Sequence, residues 1–392
     1  MKTIAVVFGS RSAEHDISII TALSAVIKPL ELTKKYKVEA VYIAKDGSWY
    51  WDEKLKDITL YQSGEIEDFC SKSAKVQLQF DGGLTLVKSS QFAGRKQYKK
   101  IDVVFPATHG TNGEDGALMG LLNMANVPYV GCDLASSVIA MDKVLSKQVA
   151  KANQIDTPET VFFSSDDYAN GYDEIHKSIK KNLKMPLFVK PARLGSSIGI
   201  SKVEDEKELS NAIEVAMHYD DKILVEEAVA NLIEVTVPIM GNSGQNGLMT
   251  ALVEEPLLRD SGTFDFDTKY MNQGKGGKKM GGKTSGSQGY SRLPANISKK
   301  LYNKSLEVAQ SVFKVVGCEG IARIDLLIDR KAEKVYFNEI NPMPGDLYAH
   351  NWRASGVSSV DLVSKLVDLA EKRHADKQKI KTTFTTNFLK QF

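Results

Sequence analysis

Residues 323–345 read RIDLLIDRKAEKVYFNEINPMPG, and no other stretch constrains the architecture as tightly. In a strand, side chains two apart share a face. Arg323 and Asp325 therefore point together, while Ile324, Leu326 and Ile328 point the other way, into a core. The polar run 330–333 makes a hairpin turn, and on the return strand Glu339 and Asn341 again share a face. Two neighbouring strands thus show Arg, Asp, Glu and Asn on one side and hydrophobic residues on the other. Carboxylate and amide oxygens are hard ligands of the kind Mg²⁺ takes, usually completed by waters and substrate phosphates. An Arg beside them can hold a phosphoryl or carboxylate oxygen with two hydrogen bonds. A surface ladder of ion pairs would account for the charges, but not for Asn341 or the Asn-Pro-x-Pro-Gly after it.

Working outward, strands are expected over 158–163, 187–191, 223–226 and 234–240. Helices are expected over 134–153, 169–182, 297–316 and 359–373. Residues 190–199 read KPARLGSSIG, a Lys ending a strand and then a Gly-Ser-Ser-x-Gly loop. Such loops offer backbone N–H groups and hydroxyls to phosphates. The G-K-[ST] ending of a P-loop is missing. With Lys143 in Met-Asp-Lys upstream, Lys190 and this loop support nucleotide binding.

The first third of the chain has a βαβ pattern: strands over 4–8, 38–43, 103–105 and 128–130, helices over 16–27 and 115–125. That is the start of a parallel sheet. In open α/β sheets ligands bind at the carboxyl ends of the strands, and two motifs fall there. Residues 12–18, SAEHDIS, put Glu14 where it can receive a substrate ammonium, or simply stabilise a helix dipole. Residues 109–116, HGTNGEDG, bring His109 and Glu114, which either back a ligand or brace their own loop. Residues 274–289, GKGGKKMGGKTSGSQG, lack any apolar period and read as a mobile loop, placed as a lid more than a linker by its position inside a catalytic domain.

At 392 residues, 42% hydrophobic and 26% charged, the chain can bury two or three cores. A net charge of +2 gives no global pull toward nucleic acid or an anionic membrane. The opening apolar run is too short for a signal peptide, and no stretch approaches the ~20 apolar residues of a membrane span. Three cysteines without a C-x-x-C pair suit a reducing, cytoplasmic setting.

Taken in order, SAEHDIS, HGTNGEDG, Ala140-Met141-Asp142-Lys143, KPARLGSSIG, Glu234, Phe266-Asp267-Thr268-Lys269-Tyr270, ARIDLL and NEINPMPG resemble the ATP-grasp superfamily, and within it the D-alanine–D-alanine ligases. The resemblance implies a mixed α/β fold of ATP-grasp architecture. It divides the chain into an N-terminal α/β domain at 1–130, a central subdomain at 131–227 and a catalytic domain at 228–392 with its lid loop at 271–293. It implies ATP-dependent joining of two D-alanines through an acyl-phosphate, for peptidoglycan synthesis, in a cytoplasmic homodimer. Glu14 would anchor the first D-alanine, with His109 nearby. Lys143, Lys190, Ser197 and Lys269 would bind ATP, with Glu226 or Glu227 near the adenine and Glu234 on the ribose. Asp325, Glu339 and Asn341 would hold a pair of Mg²⁺ ions, or Mn²⁺. Arg323 and the Gly345 N–H would stabilise the oxyanion, and Ser196 and Tyr270 would link to Glu14.

Three departures stand out. The loop after Tyr270 is about a dozen residues longer than usual. Leu194 stands where an acid is common. After Gly345 the chain reads DLYAHNW, with His350 near the place of a serine that binds the second substrate's carboxylate. D-serine or D-lactate as second substrate, and a non-catalytic ATP-binding module, are the competing readings. Tyr270 speaks against D-lactate, and the intact set at 323, 325, 339 and 341 against a dead site.

Overall fold

The computed structural model describes residues 1–89, 96–244, 247–257 and 291–392. Lys269, Tyr270 and the Gly/Lys-rich segment expected to form a lid lie outside the described residues.

The strand Lys2–Gly9 is buried at every position after Lys2. It pairs in parallel with Tyr36–Ile43 and with Val103–Pro106, and Trp49–Trp51 adds an antiparallel edge. Both of its faces are covered, as parallel sheets require. Ile4, Val6 and Phe8 pack against Ala22, Val26 and Leu30, and also against Leu362, Val363 and Leu366 near the other end of the chain. Ala5 and Val7 face Leu118, Met119 and Leu122 together with Leu84, Leu86 and Ile101. The latter belong to an antiparallel sheet of Val76–Phe80, Leu84–Ser89 and Lys96–Ile101 that the sequence reading did not foresee. The strand expected at 128–130 is reduced to a single bridge between Tyr129 and Val104. The helix expected to stop at residue 27 runs on, as α-helix His15–Ile20, π-helix Thr21–Ile27 and α-helix Lys28–Leu32, because Leu30 continues the buried stripe.

A second sheet is antiparallel throughout, in the order Ser201–Val203, Leu187–Pro191, Lys222–Glu227, Thr160–Ser164. Two expected helices are each broken in two. The break at Gly171 separates Ser165–Asn170, begun by a Ser164/Asp167 capping box, from Tyr172–Asn182. The break at Asp142 separates Leu134–Met141 from Lys143–Ala152. Asp142 is extended, and its carboxylate accepts hydrogen bonds from the N–H groups of Val144 (2.9 Å) and Leu145 (3.0 Å). An Asp cap can end one helix and start another where apolar periodicity alone shows no gap. The consequence is that Lys143 opens a helix and its N–H donates to Ala192 O at 2.9 Å, next to the KPARLGSSIG loop.

The third sheet runs Met249–Thr250, Leu232–Asn242, Glu319–Asp329, Lys334–Asn341, all antiparallel. Its buried face packs on Val308, Val312, Phe313 and Val316 of the helix Lys299–Val316. The helix Ser359–Lys377 closes the molecule. Its Arg373 donates to Tyr129 O (2.6 Å), to Gly131 O and to Glu319 (3.0 Å), with its guanidinium 4.5 Å from the Tyr129 ring centre. Cys70, Cys132 and Cys318 are free thiols. Among the described residues no helix is long and apolar enough to cross a membrane.

Candidate functional site

Strand register builds the charged face. Arg323 lies opposite Asn341 and Asp325 opposite Glu339, with a bulge between Asp325 and Leu326. The Arg323 guanidinium donates to both Asp325 oxygens, Nε at 2.8 Å and Nη2 at 2.6 Å, and Asn341 Nδ2 donates to Oδ2 at 3.2 Å. Lys143 Nζ stands 3.2 Å from Glu339 Oε2 and donates to Leu194 O at 2.7 Å. Each carboxylate thus keeps a cation beside it. Among the described residues no group of three His, Cys, Asp or Glu side chains converges as a metal cage. Two carboxylates and an amide are the sparse donor set that suits Mg²⁺, which keeps waters and phosphates as its remaining ligands.

The cleft in front of this face is lined by Glu14, Glu114, Lys143, Gly195, Glu339 and Asn341. Residues from the first turn of the chain therefore meet the hairpin near residue 340. Ser196 Oγ donates to Glu14 Oε1 in a short hydrogen bond. Space around Glu14 is tight. A Cβ at Gly110, whose φ is +67°, would lie 2.8 Å from Glu14 Oε2, and one at Gly195 would lie 3.0 Å from it. Neither position can carry a side chain without moving the carboxylate.

His109 does not face the cleft freely. Its Nε2 lies 2.8 Å from Thr21 Oγ1 and its Nδ1 3.9 Å from Glu114. Burial favours the neutral imidazole, but Glu114 outweighs it and raises the His109 pKa. Glu114 in turn accepts the N–H groups of Gly110 (2.7 Å) and Met343 (3.1 Å). The pair ties the HGTNGEDG loop to the Asn-Pro-Met-Pro-Gly turn.

On the second sheet Glu226 is 1% exposed and takes Lys190 on Oε1 and Lys147, at 3.0 Å, on Oε2. Burial pushes this carboxyl up, yet the two lysines more than reverse it and hold it at about 2. Lys147 escaped the sequence reading. The available signal was its position one helical turn after Lys143, which puts both on one face. Glu227 is turned elsewhere, accepting Lys184 N–H at 2.8 Å. Glu234 is half-buried on the strand paired with Glu319–Asp329, opposite Leu327. Ser196 and Ser197 both hold left-handed backbone, φ 54° and 59°.

Beyond Gly345 the chain makes a turn of three successive left-handed residues, Asp346, Leu347 and Tyr348, with φ of 52°, 51° and 54°. Each costs about 1–2 kcal/mol outside glycine. The run is held by Leu347 in the core and by Asp346 N–H donating to Thr21 Oγ1 at 3.0 Å. It sets the Tyr348 ring 5.3 Å from the Arg323 guanidinium carbon and its hydroxyl 3.1 Å from Thr236 Oγ1. His350 Nε2 lies 2.9 Å from Glu254 Oε2, its ring 4.6 Å from that of Tyr348. Burial raises the Glu254 carboxyl, but hydrogen bonds led by that from His350 bring it below its usual range.

A lysine-bearing antiparallel sheet facing a second antiparallel sheet that carries the metal-type carboxylates is the arrangement of ATP-grasp ligases. A family model described as the D-ala D-ala ligase N-terminus matches residues 3–132, and one for the D-ala D-ala ligase C-terminus matches 149–368. The D-alanine–D-alanine ligase of Thermosipho melanesiensis is 36% identical, the match spanning 100% of this chain and 99% of that one. That of Acetivibrio thermocellus is 34% identical over 96% and 98%. Among solved structures, the D-alanine–D-alanine ligase of Coxiella burnetii superposes with a TM-score of 0.74 at 29% identity over 97% and 98% of the chains. The VanG D-Ala:D-Ser ligase of Enterococcus faecalis gives 0.75 at 31% over 94% and 99%. The chain belongs to the D-alanine–D-alanine ligase family.

Proposed function

We propose that the protein joins two D-alanines to D-alanyl-D-alanine, converting ATP to ADP and phosphate, as a step in making peptidoglycan precursors. The observation that carries this is the shared cleft, where Glu14 meets Lys143, Glu339 and Asn341. Glu14, braced by Ser196 and in this reading by Tyr270, receives the ammonium of the first D-alanine, and the carboxylate of that D-alanine attacks the γ-phosphorus of ATP, forming the acyl-phosphate as the bond to the β–γ bridging oxygen breaks and ADP leaves. Lys143, Lys190, Ser197 and Lys269 hold the phosphates, Glu226 and Glu227 lie toward the adenine, and Glu234 takes the ribose hydroxyls. Asp325, Glu339 and Asn341 fit a pair of Mg²⁺ ions, with Mn²⁺ as a substitute, which would neutralise charge on the transferred phosphoryl group. The amine of the second D-alanine then attacks the acyl-phosphate carbonyl, the C–N bond forms and phosphate leaves. Arg323 and the Gly345 N–H stabilise the oxyanion between these events. His109 braces the first-substrate side and His350 the carboxylate of the second. The enzyme works in the cytoplasm as a homodimer.

Phosphate release measured with and without D-alanine and Mg²⁺ tests this. Release requiring both, with the dipeptide as product, is expected, and ATP turnover indifferent to D-alanine overturns it. A D-serine acceptor is the second reading, favoured by the His350–Glu254 pair where a lone serine is usual. Equal D-alanine and D-serine supplied together decide between them by the mass of the product.

A further inference from the structure

The helix Lys143–Ala152 buries a second lysine that the proposed chemistry does not use. Lys147 has a side chain 2% exposed, and its Nζ stands 3.0 Å from Glu226 Oε2. Neither atom makes a well-aligned hydrogen bond among the described residues. Lys190 occupies the other oxygen of Glu226 and approaches Asn338 Oδ1 at 3.4 Å. Glu339 also acts on both lysines, and Glu234 on Lys190, from farther off.

The triad itself carries two positive charges and one negative, all out of water. Glu226 and Lys190 alone would be a neutral pair. A further buried ammonium without good hydrogen bonds costs stability, since burying charge is repaid only by close, well-directed partners. Desolvation accordingly lowers the Lys147 pKa. A methionine of similar length would fill the same space. The second lysine therefore needs a reason outside the ground state of the empty protein.

The proposed role of Lys190 supplies one, so the role of Lys147 rests on that functional reading. Lys190 serves the nucleotide only by turning some of its charge from Glu226 to the phosphates. Were it the sole partner, that turn would leave a carboxylate buried and uncompensated. We infer that Lys147 is a positioning residue, which keeps Glu226 neutralised when Lys190 engages the phosphates of ATP. With Lys147 in place, a Lys147–Glu226 pair remains behind and the exchange orphans no charge.

The test compares wild type, Lys147→Met and Lys147→Arg as full-length protein. Two quantities are read: the melting temperature without nucleotide, and the dissociation constants of a fluorescent ATP analogue and of AMP. Lys147→Met is expected to melt no lower than wild type, to bind the ATP analogue about 30-fold or more weakly, and to bind AMP unchanged. Lys147→Arg is expected to stay within about threefold of wild type. In a Glu226→Gln background, where no carboxylate can be orphaned, Lys147→Met is expected to change ATP affinity no further. That double variant carries the test if Lys147→Met alone fails to fold. A lower melting temperature with unaltered ATP affinity would make Lys147 a purely structural residue and sink the inference. Equal losses for AMP and ATP would make it a direct ligand and sink it also. Wild type that binds no ATP would overturn the functional reading, whereas ATP binding insensitive to Lys147→Met overturns this inference alone.

Discussion

The two ends of the proposed site are built differently. At one end Arg323, Asp325, Glu339 and Asn341 sit on paired strands, each placed by register against a neighbour. At the other, Tyr348 and His350 are presented by three left-handed residues and the short helix Ala349–Ala354. Strand positions are over-determined by the ladder, so a side chain can be changed there without moving the backbone. The turn has no ladder, and its strain is balanced by a few side-chain contacts. A substitution at the first end should therefore subtract one chemical group, and one at the second should shift several together.

The largest expected effect lies on the strands. Glu339→Gln should lower turnover by about a thousandfold or more at saturating substrates, because an amide cannot replace the negative charge. Its melting temperature should stay near wild type. Near-normal turnover in millimolar Mg²⁺ would remove Glu339 from the metal-binding role. Next is Glu226, held at about 2 against an ordinary value of 4.5. Its folded pKa is depressed, so its contribution is full above 4.5 and fades as pH falls toward about 2. The size is of the order of 3 kcal/mol. Urea unfolding at a series of pH values should show this slope in wild type and not in Glu226→Gln. An identical acid profile in both would mean the lysines do not act through Glu226.

The turn should give smaller and broader effects. Tyr348→Leu removes the ring beside Arg323 and the hydroxyl beside Thr236, and should cost about 30-fold in kcat with some loss of stability. Tyr348→Phe should recover most of that, and steady-state kinetics that rank the two alike would show the ring to be unimportant. His350→Ala should raise KM for the second D-alanine about five- to tenfold while leaving that of ATP unchanged. Asn351 still donates to Glu254 at 3.3 Å, so the carboxylate keeps one partner. An unaltered second-substrate KM would place the carboxylate of that substrate elsewhere.

The same contrast explains how much was legible from the residues alone. The alternation of polar and apolar residues from Arg323 to Asn341 carried strand, face and partner together, because a sheet has a period of two. The Glu14–Ser196 contact came through family likeness, since no local pattern joins residues so far apart, and the meeting of Glu14 with Glu339 in one cleft is seen only in the fold. The left-handed turn could not be anticipated, because Leu347 and Tyr348, unlike Asp346, have no intrinsic tolerance of positive φ. Lys147 looked like an ordinary helical lysine, and only the fold puts it against Glu226. The antiparallel sheet from Val76 to Ile101 was missed because its strands Val76–Phe80 and Lys96–Ile101 are largely exposed and the second is mostly polar.

The helix Ser359–Lys377 also bears on how the protein is made. Ile4, Val6 and Phe8 leave the ribosome long before Leu362, Val363 and Leu366, which form part of the surface that buries them. Until that helix emerges, the first sheet has one face incompletely covered, and Arg373 has not yet clasped the carbonyls of Tyr129 and Gly131. Nascent chains should therefore stay protease-sensitive in their N-terminal third until synthesis has passed the closing helix. A premature stop before Leu362 would yield a sticky fragment, a natural client for chaperones, in place of a stable half-enzyme.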